Sequence, residues 1–162
     1  MCSAGARHPL ADGALIPAPA VATIAPKHGG HGEGAEERMT RTYRVLAVDD
    51  SLGVLTLIGT YLKGSEFVVA GTARDGKTAV EKYAKLKPDL VLLDIVMPEQ
   101  GGQETLKQVL AADPGARVGM ISSLADHEVV AACMALGAKS YLKKPFSKQD
   151  LLDFLNALAL QA

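Results

Sequence analysis

The chain has 162 residues, a formal charge of −1, 48% apolar residues and 4% aromatics. That suits one domain with a short extension and a core built from Leu, Val and Ala. Near-neutral charge offers no electrostatic footprint for DNA or RNA, and no apolar run approaches the ~20 residues of a membrane-spanning helix.

Residues 1–41 differ in kind from the rest. Pro9, Pro17, Pro19 and Pro26 interrupt any helix, and His28-Gly29-Gly30-His31-Gly32-Glu33-Gly34 is low in complexity. Asp12, Pro17 and Pro19 break the apolar stretch Leu10–Ala25, which argues against a signal peptide. His28 and His31 in a glycine run read as solvated side chains rather than metal ligands. Too rich in Pro, Gly and Ala to bury a face, 1–41 is expected to be a disordered extension and 42–162 the folded domain, with Met39 as an alternative start. Cys2 and Cys133 lie far apart with no metal-ligand spacing. They suggest no disulfide framework, and the reducing cytoplasm is the expected compartment.

From Arg44 onward the pattern is regular. Val45–Val48 predicts a strand, and Leu52–Lys63 a helix weakened by Gly53 and Gly59 and capped by Gly64. Phe67–Ala73 predicts a second strand. Asp75–Leu86 reads as a helix entered through Asp75, with Ala79, Val80, Tyr83 and Leu86 on one side and Lys87-Pro88 closing it. Asp89–Asp94 is the third strand and Gly102–Ala112 a helix stopped by Asp113-Pro114-Gly115. Arg117–Ile121 is the fourth strand, Asp126–Leu136 a helix ended by Gly137, and Lys139–Leu142 the fifth strand. Ser147–Leu160 is the last helix, with Ser147 as N-cap and Asp150 completing a capping arrangement. At 100° per residue Leu151, Leu155, Leu158 and Ala159 form its inward stripe, Leu152 and Phe154 flank that stripe, and Leu160 lies outside it. Strict βα alternation with right-handed crossovers implies an α/β fold whose parallel sheet is covered on both faces.

Polar residues appear where the apolar strands stop. The first ends in Asp49-Asp50, the third in Asp94, the fourth in Ser122-Ser123, and the fifth in Lys143-Lys144-Pro145. In an open parallel sheet these C-terminal ends line one edge, the place where ligands bind. Paired surface aspartates are ordinary, and a lone Ser or Lys at a strand end is usually a solvated turn residue. Gathered together they are consistent with one another. Three like charges that close require a cation, and Mg²⁺ takes one or two carboxylates with phosphate oxygens. A carboxylate can attack phosphorus to give an aspartyl phosphate; Asp94 is the candidate acceptor, Ser122 offers a hydroxyl and Lys144 an ammonium to phosphoryl oxygens. An X-Pro bond after Lys144 can direct that side chain.

The set Val48-Asp49-Asp50-Ser51, Leu93-Asp94-Ile95-Val96-Met97-Pro98, Ser122 and Lys144-Pro145-Phe146 resembles the receiver domain of two-component response regulators over about Tyr43 to Leu160. The resemblance implies a flavodoxin-like doubly wound (βα)5 fold with strand order 2-1-3-4-5, an order the chemotaxis receiver exemplifies. It further implies that a sensor histidine kinase or phosphotransfer protein phosphorylates Asp94. Asp50 would bind Mg²⁺ directly, Asp49 largely through water, and the Val96 carbonyl would complete the protein ligands. Tyr141 matches the switch aromatic that turns inward when Ser122 moves to the phosphoryl group. The chain departs from the common pattern in one loop and at three single positions: Glu99-Gln100-Gly101-Gly102 lacks the usual Asp before glycine, Ser122 replaces Thr, and Val96 and Leu124 are apolar beside the phosphoryl position.

The chain stops about two residues after the last predicted helix, so the expectation is a stand-alone receiver whose output is phosphorylation-dependent protein binding. That output would be chemotaxis or motility control, or phosphate carriage in a relay. Its surface is expected on the face of the fourth helix, fifth strand and last helix around Tyr141, Leu152 and Phe154, facing a downstream protein or a second copy; the alternative for the last helix is a wide core stripe that takes in Phe154. The alternative is a small aspartate-nucleophile phosphatase, whose D-x-D pair needs a second Asp where Val96 stands. A flavodoxin-type FMN carrier would need a phosphate loop where Asp49-Asp50 repel phosphate.

Overall fold

The computed structural model describes residues 41–123 and 126–161. The expectations for residues 1–40 and for Leu124 therefore lie outside the described residues. Ten elements alternate: β1 (Tyr43–Val48), α1 (Leu52–Leu62), β2 (Phe67–Ala73), α2 (Gly76–Leu86), β3 (Leu90–Asp94), α3 (Gly102–Ala112), β4 (Val118–Ser122), α4 (His127–Leu136), β5 (Ser140–Lys143) and α5 (Lys148–Leu160). All strand pairs are parallel, in the order β2-β1-β3-β4-β5, as the resemblance implied.

Local chemistry explains the boundaries. The Asp75 carboxylate accepts the Thr78 N–H at 2.7 Å and the Thr78 hydroxyl at 2.8 Å, which starts α2. Ser147 and Asp150 form the reciprocal capping box that opens α5. β1 begins at Tyr43, earlier than its apolar run, because the Tyr43 N–H donates to the Glu66 carbonyl at 2.8 Å and Tyr43 pairs with Phe67. β4 runs on to Ser122, whose carbonyl accepts the Lys144 N–H at 2.9 Å. Ladder bonding ends a strand, and polarity alone does not.

The continuous apolar runs are buried because both sheet faces are covered. Val91 and Leu93 of β3 point toward Tyr83, Leu106, Val109 and Val130 of α2, α3 and α4. Leu90 and Leu92 point the other way, toward Leu55, Ile58, Leu151 and Leu155 of α1 and α5.

Phe154 corrects one expectation. It is 5% exposed and belongs to the core beneath α5, not to an output surface. The reason lies on β4: a Cβ on Gly119 would come within 2.6 Å of the Phe154 ring, so the bare glycine makes room for it. Leu151, Leu155 and Leu158 are buried as the stripe required, Leu152 and Ala159 are partly buried against the same core, and Leu160 is exposed.

Candidate acidic active site

The sheet register sets Val48 beside Leu93, Asp94 beside Ile121, and Ser122 beside Lys143. The C-terminal ends of β1, β3, β4 and β5 therefore share one edge. Asp49, Asp50 and Asp94 each present a carboxylate oxygen there, all within 4.8 Å of one another. Asp49 is fully buried and Asp94 is 4% exposed. The Asp49 carboxylate accepts the Ser51 N–H at 2.9 Å, and Asp94 accepts the Val96 N–H at 3.3 Å.

Lys144 bridges the two buried acids. Its Nζ lies 2.5 Å from Asp49 Oδ2 and 3.5 Å from Asp94 Oδ2. The Lys144–Pro145 peptide is cis. Burial raises the Asp94 carboxyl to about 6, the Asp49 charge adds to the rise, and Lys144 opposes it. One ammonium against three carboxylates leaves an excess of negative charge among hard oxygen donors. That donor set fits a divalent cation such as Mg²⁺.

Ser122 is buried at the end of β4. The half-buried Tyr141 donates its hydroxyl to the Ser122 carbonyl at 3.2 Å, and burial raises the Tyr141 phenol above its ordinary value. Val96 holds its side chain 50% exposed at the lip of the site. Behind it, α3 starts against the site floor. A Cβ on Gly102 would lie 2.2 Å from the Asp94 carbonyl oxygen, so only glycine permits this approach. On the flank, Val54, Leu57, Ser123, Lys144, Pro145 and Phe146 line an open recess of about 340 Å³.

Sequence reasoning missed Arg74. It follows β2, and its Nε and Nη2 donate to the Asp50 carbonyl at 3.2 and 3.1 Å. The signal was present in the strand order, since β2 lies beside β1 and its end must approach Asp49-Asp50.

Fold and site together define a phosphoacceptor protein of the response-regulator type. The family model for the response regulator receiver domain matches residues 45–156, and the chain belongs to that family. Within it, the chain is similar to chemotaxis receivers. It is 40% identical over 116 residues to the chemotaxis protein CheY of Listeria monocytogenes, covering 72% of this chain and 98% of that protein. To CheY of Thermotoga maritima it is 35% identical over 116 residues, covering 72% and 97%. Borrelia burgdorferi CheY, solved in complex with CheX, BeF3 and Mg²⁺, superposes with a TM-score of 0.73 at 31% identity, covering 77% of this chain and 95% of that one. These matches decide between the receiver and the small phosphatase in favour of the receiver. Among the described residues no helix is long and apolar enough to cross a membrane.

Proposed function

We propose that Asp94 is the residue that carries the phosphoryl group, received from a histidine kinase or a histidine phosphotransfer protein in the cytoplasm. A carboxylate oxygen of Asp94 attacks phosphorus, the new P–O bond replaces the P–N bond of the phosphohistidine, and the imidazole leaves with the electron pair. Asp49, Asp50, Asp94 and the Val96 carbonyl would hold Mg²⁺. When bound, the cation offsets the repulsion between the carboxylate and the incoming phosphoryl group. The Ser122 hydroxyl and the Lys144 ammonium then each take a phosphoryl oxygen.

The observation that carries this reading is the convergence of Asp49, Asp50 and Asp94 with Lys144 already bonded across two of them. Exposed Leu52, Leu57 and Val96 give an apolar rim against which a donor protein can seat. Incubation with acetyl phosphate should add one phosphoryl group, detected by intact mass, only when Mg²⁺ is present. Equal labelling of Asp94→Asn would overturn the assignment. Loss of Mg²⁺ binding should be deeper in Asp50→Ala than in Asp49→Ala.

Output is phosphorylation-dependent binding of a protein target or a second copy, through the face of α4, β5 and α5 centred on Tyr141 and edged by Leu152. The Tyr141 hydroxyl bonds to the strand end that bears Ser122, so a shift of Ser122 toward a phosphoryl group is felt at Tyr141 directly. Apolar Val96 at the lip cannot orient an attacking water, which favours a long-lived phosphoryl group. Val96→Asn together with Leu124→Glu should speed its loss, and an unchanged decay rate would remove this part of the proposal.

A further inference from the structure

Two of the three site carboxylates are held from several directions, and the third is not. The Asp49 N–H donates to the Ala73 carbonyl at 3.0 Å, while its carboxylate takes the Ser51 N–H at 2.9 Å and the Lys144 ammonium at 2.5 Å. Asp94 takes the Val96 N–H and lies within reach of the same ammonium. Asp50 is the solvent-accessible member. Among the described residues, the hydrogen bonds that reach it are the two that Arg74 donates to its backbone carbonyl. Arg74 is itself exposed and, among the described residues, forms an ion pair with no carboxylate.

We propose that Arg74 is a positioning residue for the cation site, clamping the Asp50 peptide so that its carboxylate faces Asp49 and Asp94 before the cation arrives. The inference rests on the reading that these three acids hold Mg²⁺. Without a clamp, repulsion from the two buried carboxylates drives Asp50 outward and the β1–α1 turn follows it. Two donors from a planar, charged fork onto one oxygen resist that motion better than a neutral bond would. Ordering a ligand in advance lowers the entropy cost of binding. The guanidinium charge acts in the opposite sense, since it repels a dication, but on the exposed rim salt and water screen it. The clamp and the charge therefore predict opposite signs when Arg74 is removed.

The test is calorimetric titration of Mg²⁺ into the full chain, its Arg74→Ala variant and its Arg74→Lys variant, with melting temperatures in EDTA measured alongside. Arg74→Ala should weaken Mg²⁺ binding about 3- to 10-fold, the worth of one net hydrogen bond. Its melting temperature in EDTA should not change. The rate of phosphorylation by acetyl phosphate at saturating Mg²⁺ should also stay the same, while the Mg²⁺ concentration for half-maximal rate rises. Arg74→Lys, with a point charge on a flexible stem, should recover only part of the affinity.

Unchanged or tighter Mg²⁺ binding by Arg74→Ala would overturn the proposal, as would full recovery in Arg74→Lys, which would assign the effect to charge. A fall in the EDTA melting temperature that matches the loss of affinity would reduce Arg74 to a structural role and overturn it too. An unsubstituted chain that binds no Mg²⁺ would defeat the cation reading itself, which is distinguishable from an unsubstituted chain that binds normally beside unaltered variants.

Discussion

Replacing Asp94 by Asn should stabilise the metal-free protein at neutral pH. Burial and the neighbouring Asp49 charge raise the Asp94 carboxyl from 3.8 to about 6. The folded state thus binds this proton more tightly than the unfolded chain does. Between about pH 4 and 6 the folded protein holds more protons, and its stability falls as pH rises through that window. Above it the ionised carboxylate carries the whole penalty. A rise of that size corresponds to on the order of 3 kcal/mol.

Asn keeps the shape and removes the charge, while Lys144 retains Asp49 at 2.5 Å and so is not left unpaired. Urea unfolding in EDTA at pH 7.5 should show Asp94→Asn more stable by about 2–3 kcal/mol, and the gap should close at pH 4. Adding Mg²⁺ should narrow the gap at pH 7.5, because a cation that binds only the folded state stabilises the unsubstituted chain by mass action. An Asn variant no more stable at pH 7.5, or a gap that persists unchanged at pH 4, would refute the electrostatic argument.

Lys144→Met should have the opposite effect in EDTA: with the bridging ammonium gone, two buried carboxylates face each other, and a loss of about 1–3 kcal/mol in urea is expected at pH 7.5, shrinking as pH falls. Phe154→Ala should cost roughly 3–5 kcal/mol by emptying the notch over Gly119, whereas near-native stability would return Phe154 to the surface. Lys87 closes α2 at φ 44°, the left-handed region, so Lys87→Gly should raise stability by a few tenths to about 1 kcal/mol and leave phosphorylation untouched. Thermal melting paired with the mass assay would check both halves of that statement.

The elements and the identity of the site were legible in the chain because their signals are local. A strand buried on both faces needs an unbroken apolar run, so Leu90–Leu93 declared itself and the polar Asp94 marked its end. A helix start needs acceptors for orphan N–H groups, so Asp75 and the Ser147/Asp150 pair marked α2 and α5 before any packing was known. Side-chain roles set by a neighbour distant in sequence were not legible. The helical angle of Phe154 is compatible with a flank or a core position, and only Gly119 on β4 decides between them. Arg74 looks like any solvated arginine until β2 is laid beside β1 and its fork meets the Asp50 carbonyl. Asp94 is an aspartate like any other until burial, Asp49 and Lys144 close around it. Periodicity and capping depend on residues within a few positions of one another. Burial, charge coupling and close approach depend on which strands become neighbours, and that is decided only when the sheet assembles.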